Sequence, residues 1–166
     1  PNKYLMPKMI EFSLSLISNP RDLLELYCGS GTFTVPMSRY FNKIFATENN
    51  RASIGYLNKS IDRNNIINIS QSRLSDTELT EAFNGRIFRR MNDISLDDYD
   101  FSHVLVDPPR SGLNENVVNI LNRFENIIYI SCNPETFERD IINLKGYKID
   151  KFCLLYTSDA ADECDS

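Results

Sequence analysis

Three short segments carry the residues whose types and spacing can do chemistry. In Ile130-Ser131-Cys132-Asn133-Pro134-Glu135-Thr136, a cysteine stands between an apolar run and a helix that opens on proline. The positive end of a helix favours the thiolate, the form of cysteine that attacks electrophiles, so Cys132 is a candidate nucleophile. In Asp107-Pro108-Pro109-Arg110-Ser111-Gly112, two prolines hold the backbone after an aspartate in one shape. Asp107 can hold a polar ligand group there, and Arg110 can reach a phosphate or a carbonyl. The plainer reading of the same residues is a stiffened connection with an N-capping Asp.

The third segment, Glu25-Leu26-Tyr27-Cys28-Gly29-Ser30-Gly31, puts glycines where a strand turns into a helix. Such a turn lets backbone approach a ligand and aims helix N–H groups at it. The third glycine of a dinucleotide motif is absent, with Phe33 near its place. That suits a nucleoside ligand without a pyrophosphate, such as S-adenosylmethionine, better than a dinucleotide. Glu48 follows Gly31 by 17 residues, at the end of the next strand, where an acid holds ribose hydroxyls. A plain strand–helix turn with a solvated Glu48 is the competing reading. Cys28, inside the glycine turn, reads as core filler, and His103, the single histidine, as structural or exposed. Arg86, Arg89 and Arg90 with Phe88 form the one tight basic-aromatic cluster, able to touch phosphates and stack a base, or equally a solvated face.

These residues need elements to position them. Helical spacing of Met6, Met9, Ile10, Leu14 and Ile17 predicts a helix over 3–17 that stops at Asn19-Pro20. Strands are expected at 22–27, 43–47, 66–69, 103–106 and 126–130. Helices are expected at 32–40, 51–64, 76–83, 115–123 and 134–144, and residues 84–99 read as polar and irregular. Short apolar strands alternating with helices signal right-handed βαβ units and a parallel sheet covered on both faces. The fold class is therefore an open α/β sheet of the Rossmann type, mostly parallel. All three segments follow directly after strands, so they are expected to converge on one crevice at the strands' carboxyl ends.

With 166 residues, 42% hydrophobic and 25% charged, the chain has the composition of one ordinary globular domain. The net charge of −5 argues against gripping nucleic acid by bulk charge. Four acids, Asp159, Asp162, Glu163 and Asp165, lie in the last 14 residues, leaving 19 acids against 18 bases in 1–152. A near-neutral body of that kind can still hold a local basic face. The four cysteines have neither zinc-ligand spacing nor the density of a disulfide scaffold. No apolar run reaches the roughly 18 residues of a membrane span, and Pro1-Asn2-Lys3 has no signal-peptide layout, so a cytoplasmic monomer without metal or membrane is expected.

Taken together, Leu24-Glu25-Leu26-Tyr27-Cys28-Gly29-Ser30-Gly31, Val106-Asp107-Pro108-Pro109-Arg110-Ser111-Gly112 and Ile130 to Thr136 closely resemble the S-adenosylmethionine-dependent RNA uracil-5-methyltransferases. The likeness runs from Pro1 to about Lys151 and is nearest to the tRNA branch that makes 5-methyluridine at position 54 of the T-loop. The stretch from Asn84-Gly85 to Leu96 also resembles the tRNA enzymes. The resemblance implies a class I methyltransferase domain, S-adenosyl-L-methionine as cofactor and the tRNA T-arm as partner. It implies that Tyr27, Gly29, Gly31, Glu48 and Asp107 bind the cofactor, with Thr32 where the family often has Asn. Cys132 would be the nucleophile, and Arg110 would orient the base or its developing oxyanion.

Two departures from the family pattern stand out. Its Phe-x-Gln before Pro-Asn, whose Gln contacts the cofactor, is missing ahead of Pro1, as is the N-terminal RNA-binding portion. Its Phe-Pro-x-Thr-x-His-x-Glu, whose Glu is the proton-abstracting base, is replaced by Cys153-Leu154-Leu155-Tyr156-Thr157-Ser158-Asp159-Ala160-Ala161-Asp162-Glu163. That string resembles a translated sequencing-library adapter, so 153–166 is expected to be a non-native tail, with Glu163 no substitute base. The expectation is a catalytic domain over 1–152, truncated at both ends, impaired or inactive, its last strand cut short after Lys151 or Phe152. A ribosomal-RNA uracil-5-methyltransferase, an amino-methyltransferase using Asp107-Pro108-Pro109, and a non-catalytic RNA-binding module are the alternatives.

Overall fold

Strand β1 (Asp22–Leu26) is buried at every residue, as expected of a central strand in a parallel sheet covered on both faces. In the computed structural model, which describes residues 4–91 and 93–155 together with the backbone of 163–165, β1 lies at the middle of five parallel strands. The others are β2 (Lys43–Thr47), β3 (Ile69–Ser72), β4 (Phe101–Val106) and β5 (Asn126–Tyr129), in the order β3-β2-β1-β4-β5. The helices are α1 (Leu5–Ser15), α2 (Thr34–Met37), α3 (Arg51–Arg63), α4 (Asp76–Phe83), α5 (Glu115–Leu121) and α6 (Pro134–Ile142). The Rossmann-like α/β reading holds.

The chain winds outward from β1 through β2 to β3, then crosses back to β4 and winds the other way to β5. Right-handed crossovers then put α2 and α3 on one face and α4 and α5 on the other. Side-chain alternation along β1 matches. Leu24 and Leu26 join one buried cluster with Leu79 of α4 and Val117 and Leu121 of α5. Leu23 and Glu25, pointing the opposite way, are just as buried. The reversal of direction falls between β1 and β4, which is where an open α/β sheet leaves its crevice.

Several boundaries differ from the sequence expectation. The third strand is Ile69–Ser72 rather than 66–69. Asn65 takes a left-handed φ of 52° just past the end of α3, and the Ile66 N–H still bonds back to Ile61 O. Asn68 then ties its side chain to the carbonyls of Ser38 and Phe41 before pairing begins. Residues 66–68 are thus a helix stop, and Ile67 is almost wholly exposed. Helix α2 has four residues instead of nine, because the glycine turn extends into it and Tyr40 already bonds back in a turn to Met37. Strand β4 begins two residues early, at Phe101.

The residues fall into two compact units, 19–145 and the union of 1–18 with 146–166. The first holds the sheet. The second holds α1 and an antiparallel pair, β6 (Phe152–Leu154) with β7 (Glu163–Asp165). The final sheet strand expected to end at Lys151 or Phe152 is not formed among the described residues, and residues 152–154 pair in this separate ribbon instead. The rest of the tail, and the side chain of Glu163, lie outside the described residues. Among the described residues no helix is long and apolar enough to cross a membrane.

Candidate active site

Parallel register brings the chemical segments into one row. Leu26 pairs with Thr47 on one side and with Val106 on the other, and Val106 pairs with Tyr129. The next residues along these strands, Glu48, Tyr27, Asp107 and Ile130, therefore stand side by side at the carboxyl edge. Backbone bonds continue past the strand ends, from Cys28 N–H to Thr47 O at 3.1 Å and from Ile130 N–H to Val106 O at 2.9 Å. Three inter-strand gaps separate Glu48 from Ile130, a span of roughly 14 Å at ordinary strand spacing. Cys132 follows two residues later.

At one end of the row the glycine turn is built around a close approach. Gly31 has φ +91°, and a Cβ there would lie 2.5 Å from Leu57 Cδ1 of α3. Only glycine lets the turn pack so tightly on that helix. Glu48 folds its carboxylate over the turn, with Oε2 accepting from Gly29 N–H at 3.1 Å and Oε1 from Asn50 N–H at 2.7 Å. Thr32 is half-buried between Gly31 and α2. Tyr27, held at φ +59°, points its hydroxyl toward Asp76 Oδ2 at 3.4 Å. Burial, and then the charge of Asp76, push the Tyr27 phenol above its ordinary range.

Tyr27, Thr47, Glu48, Leu74 and Asp76 line a cavity of about 200 Å³. Asp76, which opens the helix expected at 76–83, is not among the candidate residues of the sequence. Its neighbours Ser75 and Glu78 form a reciprocal cap, a pattern that explains an acid there without any ligand. Its Oδ2 also accepts from Asn114 Nδ2 at 2.5 Å, joining the starts of α4 and α5 beside the cavity. The cavity wall offers carboxylates to hydroxyl or amino donors and apolar surface to a flat ring. An S-adenosyl ligand fits that set of acceptors, with Glu48 able to accept from ribose hydroxyls.

Glu25, beneath this turn, is 1% exposed, and its Oε2 has no hydrogen-bond partner among the described residues. Burial pushes its carboxyl up to about 8, with Asp107 adding to the effect. Asp107 itself is open to solvent at the crevice mouth, while the protein beneath it raises its pKa above the ordinary carboxylate value. Cys28 is a buried free thiol whose acidity burial suppresses, which excludes it as a nucleophile and agrees with core filler.

At the other end of the row Cys132 is a free, exposed thiol immediately before the N-cap of α6. Asn133 caps that helix by accepting from Glu135 N–H at 3.1 Å, and Ser131 Oγ accepts from Asn133 N–H at 3.1 Å. The same Asn133 donates from Nδ2 to Arg110 O at 3.1 Å. Arg110 and Cys132 are thereby brought together, and the Arg110 side chain is exposed.

Two other sequence candidates lie elsewhere. Arg86 pairs with Glu81 at 2.5 Å and lies over the Phe88 ring at 4.9 Å, and Arg90 pairs with Glu78. Two of the three arginines in that cluster thus have acidic partners. His103 is fully buried near the start of β4, with Nδ1 2.8 Å from Ser102 Oγ and its ring edge-on to Phe41. Its place at the opposite end of the strand from Asp107 makes it structural.

The profile of the family tRNA (Uracil-5-)-methyltransferase matches residues 1–162. The chain belongs to that family. It is 46% identical over 157 residues to a tRNA/tmRNA (uracil-C(5))-methyltransferase of Saccharophagus degradans, covering 93% of this chain and 43% of the relative. A protein of the same description from Campylobacter concisus is 48% identical over 156 residues, covering 93% and 42%. This tRNA (uracil-5-)-methyltransferase family member thus spans less than half the length of these curated relatives. The structure of Pyrococcus abyssi tRNA (uracil-54, C5)-methyltransferase in complex with S-adenosyl-L-homocysteine superposes with a TM-score of 0.68 at 28% identity, over 87% of this chain and 32% of that one. A precorrin-6y C5,15-methyltransferase of Geobacter metallireducens shares the fold of this family member, with a TM-score of 0.65 at 17% identity over 99% of this chain and 83% of that one.

Proposed function

We propose that this chain is the catalytic domain of an S-adenosylmethionine-dependent tRNA uracil-C5 methyltransferase, acting on uridine 54 of the T-loop through a covalent Cys132–C6 adduct. The observation that carries this reading is the placement of an exposed free thiol, Cys132, at the carboxyl edge that also holds Glu48, Tyr27 and Asp107. Family membership and the S-adenosylhomocysteine complex of the Pyrococcus abyssi neighbour support the cofactor and the tRNA substrate.

The residues divide the work. Tyr27, the Gly29–Gly31 turn, Thr32, Glu48 and Asp107 would hold the cofactor along the edge. Carbon 5 of uracil is too weak a nucleophile to be methylated unaided. The Cys132 thiolate adds to C6, forming a C–S bond and moving the ring's electron pair toward C5 and the C4 oxygen. Arg110 would meet the oxyanion that develops. When bound, S-adenosylmethionine supplies an electrophilic methyl to the activated C5 and departs as the neutral thioether. Loss of the C5 proton to a base then lets the C–S electron pair return to Cys132, restoring the C5–C6 double bond. The target base must leave its stack to reach an exposed thiol.

The test uses T-arm RNA with 5-fluorouridine at the target position, because fluorine at C5 blocks the final proton loss and the adduct accumulates. A Cys132-linked RNA band that requires S-adenosylmethionine and vanishes in Cys132→Ala is expected. A chain that binds S-adenosylhomocysteine yet forms no adduct would support a non-catalytic RNA-binding module instead. Methyl transfer that survives Cys132→Ala would point to amino-methylation, and adduct formation with ribosomal rather than tRNA hairpins would move the substrate to ribosomal RNA.

A further inference from the structure

Helix α6 carries Cys132 just ahead of its N-terminus and, eight residues later, a carboxylate buried to 2% exposure. Both oxygens of that carboxylate, Asp140, are fully engaged. Oδ2 accepts from Leu113 N–H at 2.7 Å and from the Tyr129 hydroxyl at 2.7 Å. Oδ1 accepts from Arg139 Nε at 2.9 Å and Nη2 at 2.6 Å. Arg139 Nη2 reaches further, to Ser111 O at 2.9 Å and Leu113 O at 3.1 Å. Nearer the cysteine, Arg110 O accepts from Asn133 Nδ2 at 3.1 Å and from Thr136 Oγ1 at 3.3 Å. The loop that follows Asp107 is thus bonded to one helix at Arg110, Ser111 and Leu113.

Gly112 shows how closely the loop is drawn in. It has φ +75°, and a Cβ there would stand 2.6 Å from Asp140 Oδ2 and 2.5 Å from Arg139 Nη2. An ion pair with one partner buried is weak evidence for stability, since desolvating the Asp140 carboxylate offsets much of its attraction to the half-exposed Arg139. Its use here is geometric, because three of the bonds made by Asp140 and Arg139 end on the segment that bears Arg110.

We infer that Asp140, acting with Arg139, is a positioning residue that sets the Arg110 loop against Cys132, so that nucleophile and oxyanion partner are spaced by α6 itself. The catalytic meaning of this lock rests on the methyl-transfer reading above, while the lock as a structural device does not. Attack on C6 needs the uracil held at bonding distance from the thiolate while its carbonyl meets Arg110. A displacement of about 1 Å in such a pair costs on the order of 10²-fold in rate.

Asp140→Asn and Arg139→Gln test this in the full chain. The first keeps the side-chain shape, and the second alters a half-exposed side chain, 52% accessible, and leaves Asp140 its Leu113 and Tyr129 donors. Three quantities are read: amide exchange over 110–113, S-adenosylhomocysteine affinity, and the adduct rate constant at saturating 5-fluorouridine T-arm RNA. Faster exchange by about ten-fold or more, an adduct rate constant lower by about 10²-fold, and cofactor affinity within about three-fold are expected, with partial recovery in Arg139→Lys. Faster exchange with an unchanged adduct rate overturns the positioning role. So does a loss confined to cofactor affinity, and unchanged exchange overturns the lock itself. A wild-type chain that binds S-adenosylhomocysteine without forming adduct overturns the transferase reading and the positioning role with it, and the exchange data separate that result from failure of the lock.

Discussion

The Glu48 carboxylate sits over the backbone of Gly29, accepting its N–H at 3.1 Å, while its other oxygen takes Asn50 N–H at 2.7 Å. These two bonds fix the acid in place before any ligand arrives, and each oxygen keeps lone-pair capacity for a hydroxyl donor. Glu48→Ala is therefore expected to weaken S-adenosylhomocysteine binding by about ten- to hundred-fold, the range for hydrogen bonds to a charged group. Titration calorimetry checks this, and an unchanged affinity would remove Glu48 from the cofactor site.

Glu25 makes a prediction about pH. Its ordinary value is 4.5, and burial raises it to about 8 in the folded chain. Between those values the folded state binds a proton that the unfolded state has released, so stability falls as pH rises through the window. Glu25→Gln, neutral throughout, is expected to remove a slope of up to about 1.4 kcal/mol per pH unit. Urea unfolding at the two ends of the window measures it, and identical slopes in both proteins would show that Glu25 does not titrate there.

Gly31 tests the turn. Its φ of +91° and the 2.5 Å separation between an added Cβ and Leu57 Cδ1 mean that Gly31→Ala strains the backbone and displaces a buried leucine. A destabilisation of about 1–3 kcal/mol is expected. A change below about 0.5 kcal/mol, the usual range of surface substitutions, would show that the turn relaxes freely.

Among the described residues the free thiols are Cys28, buried, and Cys132, exposed. Iodoacetamide in native buffer is expected to alkylate Cys132 and to leave Cys28 untouched until the chain is unfolded, with peptide mapping as the readout. Comparable labelling of both in the native state would contradict the packing of the glycine turn.

Much of the site was legible because its signals are local. Leu24 to Gly31 spells a strand running into a glycine turn, Asn133-Pro134 spells a helix start, and the doubled proline after Asp107 spells a strand end. Each depends on residues a few positions apart, whose backbone preferences act without the rest of the chain. Alternation of such elements was enough for the α/β class and for placing all three segments at strand ends. The cluster of Arg86, Arg89, Arg90 and Phe88 was ambiguous for the opposite reason, since the acids that pair with two of its arginines project from α4.

The sequence by itself determined the family motifs, the fold class and the identity of Cys132, Arg110, Tyr27, Glu48 and Asp107 as the residues to watch. Only the tertiary structure decided the strand register that aligns Glu48, Tyr27, Asp107 and Ile130, because pairing between strands is a long-range choice made by packing. It alone moved the third strand to Ile69–Ser72, where a left-handed Asn65 and the side-chain bonds of Asn68 outweigh the apolar residues Ile66 and Ile67. It alone brought Asp76 to the cavity beside Tyr27, 49 positions away, and closed the Gly112 loop on Asp140. Those partners are set by how helices fold back onto the sheet, and a buried carboxylate finds its donors only once that burial exists.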